Sequence, residues 1–110
     1  MKSFADKVAL ITGAGSGIGR ALAEELANEG CNLALVDWNN VSLEETKELV
    51  RKKNVSVSTY AFDLKDKDKI KELPSKVIDF HKQIDIVINN AGISVMTEIP
   101  ALLITISICL

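Results

Sequence analysis

Between Thr12 and Gly19 the chain runs Thr12, Gly13, Ala14, Gly15, Ser16, Gly17, Ile18, Gly19, with a glycine at every second position from 13 onward. Glycine at this density permits a sharp turn and lets backbone N–H groups approach a pyrophosphate with no Cβ between them. If the turn opens a helix, the first-turn amides lack intrahelical partners and the positive end of the helix dipole adds to their attraction for phosphate. The competing reading is a turn that serves only close helix packing. A carboxylate favours the first: Asp37 follows the last of these glycines by roughly 20 residues, where it can accept hydrogen bonds from both hydroxyls of a ribose and repel a 2′-phosphate. Together they point to dinucleotide binding. No lysine or arginine directly follows Asp37, since Trp38 and Asn39 come next, and none lies inside the turn, so NAD is favoured over NADP. Trp38 reads as a partly buried surface residue, with a place beside an adenine ring as the alternative. No Lys-Ser or Lys-Thr pair closes the glycines, which disfavours a P-loop.

The flanking residues must hold the turn in place. Val8 to Ile11 is an apolar run leading into the glycines, the pattern of a strand buried on both faces of a parallel sheet. From Gly17 to Glu29, Ile18, Leu22 and Leu26 recur every four positions opposite Arg20, Glu24 and Glu25, which predicts an amphipathic helix stopped near Gly30. Asn32 to Asp37 repeats the buried-strand pattern, completing a strand-helix-strand unit. Ser42 and Glu45 have capping-box spacing and predict a second helix to about Lys53. Val55 to Phe62 predicts a third strand. A third helix follows from about Asp66, its core face carried by Ile70, Leu73, Val77 and Phe80, with Pro74 expected to kink it or shorten its first half, two short helices being the alternative. Ile84 to Ile88 predicts a fourth strand. Alternating strands and helices imply an α/β fold: a doubly wound parallel sheet with spatial order 3-2-1-4.

Composition narrows the partners. The 110 residues are 47% hydrophobic and 25% charged, as in one ordinary globular domain, and the net charge of −2 comes without the basic cluster that nucleic-acid phosphates require. Cys31, Cys109 and His81 are too dispersed for a metal site, and none is expected. No signal-peptide pattern opens the chain, which makes a cytoplasmic location the default, and no apolar stretch reaches the ~20 residues of a membrane span.

At this point the chain resembles the short-chain dehydrogenase/reductase family. The family's Thr-Gly-x-x-x-Gly-x-Gly pattern is met by Thr12, Gly13, Gly17 and Gly19, and its Asn-Asn-Ala-Gly pattern by Asn89, Asn90, Ala91 and Gly92. The resemblance spans residue 5 to about 95 and implies a Rossmann-type fold and hydride transfer between NAD and an alcohol or carbonyl. The cofactor would meet Gly13, Gly15, Ser16, Gly17, Ile18 and Gly19 in the turn, and Asp37 on the adenosine sugar. Asp63 and the Leu64 backbone would lie at the adenine, and Ala91 and Gly92 at the nicotinamide ribose, while Asn90 would tie neighbouring strands. Asp63 could instead cap its own loop, and Asn90 could be wholly structural.

The family's chemistry also uses a Ser and a Tyr with a Lys four residues later, the cation making the phenol a usable acid/base near neutral pH. The chain's single tyrosine, Tyr60, has Leu64 four residues on and falls in the third predicted strand, so it reads as a packing residue. No catalytic residue is assigned. The expectation is a dinucleotide-binding segment over residues 1–95, cut before its catalytic and substrate-binding residues, followed by an atypical apolar tail over 96–110 that a splice or frame change would also produce. That tail could form a fifth strand beside the fourth or a helix begun at Pro100. An interaction module that self-associates through an open fourth-strand edge or through the tail is the alternative function.

Overall fold

A computed structural model of the chain describes residues 3–90 and 104–107. Its elements are β1 (Val8–Thr12), α1 (Gly17–Asn28), β2 (Asn32–Asp37), α2 (Asn40–Arg51), β3 (Val57–Ala61), α3 (Lys67–His81), β4 (Ile86–Asn89) and β5 (Ile104–Ser107). The strands form one parallel sheet in the order β3-β2-β1-β4-β5, which contains the expected 3-2-1-4.

The two-residue period of a strand divides the core between two layers. Ala9 and Ile11 of β1 join Leu33 and Leu35 of β2 on the face covered by Ala23 and Ala27 of α1 and by Leu43 and Val50 of α2. The intervening Val8 and Leu10, with Ala34 and Val36, face Ile70, Leu73 and Val77 of α3. Each fully buried Leu, Ile or Val contributes roughly 1.5–3 kcal/mol from removal of apolar surface from water. With both faces of the sheet covered, β1 is buried along its whole length, and the glycine turn stands on its carboxyl end.

Four local expectations are corrected. α1 packs through its smallest residues, Gly19, Ala23 and Ala27, which bring the helix close to the sheet. Leu22 and Leu26 flank that seam, and Ile18, expected on the core face, is 47% exposed. α2 is not capped by a Ser42–Glu45 box. Asn39 is the cap, its side chain accepting from the Ser42 amide at 3.1 Å, because the chain leaves β2 in an extended conformation that already ends at Asn39. α3 is one continuous helix through the buried Pro74, so it is not divided in two. At its end His81, one position beyond the expected Phe80, meets the sheet: its Nε2 lies 2.8 Å from Ser58 Oγ, and Phe80 is 55% exposed with its ring in edge-type contact with the imidazole.

The fourth-strand edge is not open. β5 pairs with it in parallel, Ile86 opposite Ile104 through Asn89 opposite Ser107, so the fifth-strand alternative holds for residues 104–107. No helix among the described residues is long and apolar enough to cross a membrane.

Candidate functional site

The carboxyl ends of β1, β2 and β4 open onto a cleft of about 470 Å³. Gly13, Ser16, Gly17 and Ile18 line one side, Asp37, Trp38, Asn39 and Ser42 the next, and Phe62, Asp63, Leu64 and Asn90 the rest. This is where ligands sit in open α/β sheets, at the strand ends where the chain reverses direction across the sheet.

Close packing explains two of the glycines. A Cβ on Gly19 would overlap the Gly13 carbonyl and stand 2.9 Å from Asn90 Nδ2, so the start of α1 can lie over the end of β1 only without one. A Cβ on Gly15 would stand 2.8 Å from Asp37 Oδ2 and 3.0 Å from Ser42 Cβ. Gly19 therefore faces inward to packing, although its place in the motif suggested the cleft.

Ser16 precedes α1 and makes no side-chain cap bond, so the first-turn amides of the helix are left to the cleft. Asp37 sits at the end of β2 with both oxygens engaged. Oδ2 accepts from the Gly15 amide at 2.8 Å and Oδ1 from the Asn39 amide at 3.0 Å. Each carboxylate oxygen keeps a second lone pair for a ligand hydroxyl. Asp63 lines the cleft and also turns its own loop, Oδ1 accepting from the Lys65 amide at 2.9 Å. Leu64 is buried below it. Trp38 is 75% exposed on the cleft wall, far more open than the partly buried surface position expected of it.

Asn90 ties the end of β4 to the turn: its amide donates to Thr12 Oγ1 at 3.0 Å and its Nδ2 to the Gly13 carbonyl at 3.2 Å. Thr12 Oγ1 in turn donates to Asn89 Oδ1 at 3.1 Å. Asn90 Oδ1 is buried without a hydrogen-bond partner among the described residues. Ala91 and Gly92 lie outside the described residues.

Two participants had no sequence signal. Thr46, in the middle of α2 and fully buried, donates to the Ala14 carbonyl at 2.8 Å, and Arg20 reaches the Gly15 carbonyl with one terminal nitrogen while its Nε donates to Thr46 Oγ1 at 2.8 Å. Nothing in their spacing from the turn marks them, because the contact is made by the crossover that lays α2 beside it.

Among the described residues no cation lines the cleft, whereas two carboxylates do. Tyr60 is not part of it. Its side chain packs with Phe62 on the α3 face, and burial pushes the phenol above its ordinary value, away from what proton transfer near neutral pH needs. No group of three or more metal-ligating side chains occurs among the described residues.

Residues 7–105 match the family model for short chain dehydrogenases. The chain is 38% identical over 93 residues to a diacetyl reductase [(S)-acetoin forming] of Staphylococcus epidermidis, covering 84% of this chain and 36% of the relative. It is 39% identical over 90 residues to a human 15-hydroxyprostaglandin dehydrogenase [NAD(+)], covering 80% of this chain and 34% of that one. Among solved structures, NAD+-bound xylitol dehydrogenase superposes with a TM-score of 0.80 at 39% identity, over 84% of this chain and 35% of that one. The chain thus spans about a third of the length of the relatives it matches. With this sheet order, this turn and these relatives, it belongs to the short-chain dehydrogenase family.

Proposed function

We propose that this chain is the NAD-binding part of an oxidoreductase, and that its 110 residues hold the dinucleotide without turning it over. The observation that carries the reading is the pairing, across one cleft, of uncapped first-turn amides with the Asp37 carboxylate. The residues fit the group. Ser16, Gly17 and Ile18 would hold the pyrophosphate, the second lone pairs of Asp37 the adenosine ribose, and Asp63 and Leu64 the adenine. Asn90 Oδ1, buried and unpartnered among the described residues, would accept from a ligand hydroxyl. When bound, NAD would exchange a hydride with an alcohol or carbonyl, which agrees with relatives named as a reductase and as an NAD(+) dehydrogenase. Within these residues Tyr60 is held away from the cleft with no lysine four positions on, so the acid/base step has no bearer.

NAD is favoured over NADP because a 2′-phosphate would meet Asp37 with no cation among the described residues of the cleft wall to balance it. Calorimetric titration with both dinucleotides tests the reading, and quenching of Trp38, the single tryptophan, gives an independent signal. NAD should bind at least tenfold more tightly than NADP, and Asp37→Ala should narrow that gap. Folded protein that gives neither heat nor quenching with millimolar NAD sinks the proposal.

A further inference from the structure

We infer that Thr46 and Arg20, outside the cleft, are positioning residues that set two backbone amides of the glycine turn for two different parts of the ligand. The inference rests on the dinucleotide reading above and goes beyond it, since neither side chain lines the cleft.

In a trans peptide the carbonyl of one residue and the N–H of the next share a plane and point in opposite directions. Whatever holds a carbonyl therefore aims the following amide. Thr46 Oγ1 takes the Ala14 carbonyl at 2.8 Å on the α2 side, and the next amide, Gly15 N–H, points the other way, to Asp37 Oδ2 at 2.8 Å. Arg20 takes the Gly15 carbonyl, so the next amide, Ser16 N–H, points away from Arg20, and Ser16 itself lines the cleft.

These peptides need holding. Gly15 has no Cβ to restrict its backbone, so rotation of the Gly15–Ser16 peptide is cheap unless its carbonyl is fixed. Arg20 is itself anchored. Its Nε donates to Thr46 Oγ1 at 2.8 Å, and its terminal nitrogen also meets the Ser42 carbonyl at 3.0 Å and Glu45 Oε1 at 3.1 Å. The Thr46 hydroxyl has one proton, and its nearer acceptor is Ala14, with the Ser42 carbonyl farther off at 3.3 Å. The two clamps thus have separable targets: Thr46 acts through Asp37 on the ribose, and Arg20 acts through the Ser16 amide on the pyrophosphate.

Adenosine carries the ribose without phosphate, and ADP carries both, so titrating wild type and variants with adenosine, ADP and NAD separates the roles. Arg20→Lys should weaken ADP and NAD about tenfold, the loss of roughly one charge-assisted hydrogen bond, and leave adenosine within twofold. Thr46→Val should weaken all three severalfold, and Thr46→Ser should restore them. Variants that bind all three ligands as wild type does overturn the inference, as does an Arg20→Lys protein that loses the same factor for adenosine as for ADP, the mark of a merely structural role. A wild-type chain that binds none of the three overturns the dinucleotide reading itself. Should Thr46→Val not fold, amide chemical shifts of the unliganded Arg20→Lys protein decide: a displaced Ser16 resonance beside an unmoved Gly15 resonance supports the clamp, and an unmoved Ser16 resonance refutes it.

Discussion

Asp37 carries two loads. Its carboxylate is proposed to grip a ribose, and it already accepts from the Gly15 and Asn39 amides, so it also splices the turn to the end of β2 and the start of α2. Removing it would disturb the phosphate side as well as the sugar side, which makes Asp37→Ala a blunt probe. Gly15→Ala is sharper. The new Cβ would stand 2.8 Å from Asp37 Oδ2 and force that side chain aside. We expect NAD affinity to fall at least tenfold while stability by urea titration falls by no more than about 1 kcal/mol, because the atom the Cβ meets first is the far end of the Asp37 side chain, which can swing aside. Calorimetry and urea titration on one preparation check both. Gly19→Ala should do the reverse, unfolding the chain or costing several kcal/mol by thermal melt, since its Cβ would overlap backbone. The glycine types and Asp37 were readable from sequence because they need no partner to be recognised. Which glycine serves packing and which serves the cleft was not, since that depends on Asn90 and Ser42 arriving from distant segments.

At the scale of elements, strands were legible where an apolar run met turn residues, and helices where apolar residues recurred. The errors came where small residues or polar caps outweighed hydrophobic spacing. A Gly19-Ala23-Ala27 seam is nearly invisible to a hydrophobic pattern yet sets how closely α1 lies on the sheet. The capping-box spacing of Ser42 and Glu45 misled because Asn39, three residues earlier, also offers an acceptor and the strand delivers it in extended conformation. Asn39→Ala should therefore destabilise the fold by about 1 kcal/mol, measured by urea titration, with Ser42→Ala costing less. α3 carries a pH signature. Burial lowers the pKa of His81 below its ordinary value, so the fold favours the neutral imidazole while the unfolded chain titrates near ~6.5. Its contribution is full above that pH and is lost as the pH falls towards the lower folded value. The urea midpoint should drop from pH 7.5 to pH 5.5, and less so in His81→Gln, whose amide can still meet Ser58.

For the molecule as a whole, the site and the sheet stand or fall together, because the cleft is built from segments that follow β1, β2, β3 and β4 and from the starts of α1 and α2. Asn90 directly follows β4, and β4 is held between β1 on one side and β5 on the other. A chain that ends at residue 100 would lose the Ile104–Ser107 ladder and leave the peptide groups of β4 unpaired along one edge, the kind of edge that invites pairing with other chains. We expect this shortened chain to melt lower and to elute at larger apparent size as concentration rises, where the full chain does not. The same coupling gives the ligand leverage over stability: NAD at a hundredfold excess over its Kd should add about 2.7 kcal/mol to the full chain by mass action. If the β4 edge is the weak point of the shortened form, NAD should also suppress its self-association, because a ligand held between the turn and Asn90 stabilises β4 from within. Light scattering of the shortened chain with and without saturating NAD checks this, and aggregation unchanged by a ligand that demonstrably binds would show that the loss of β5 acts elsewhere than on the strand that Asn90 follows.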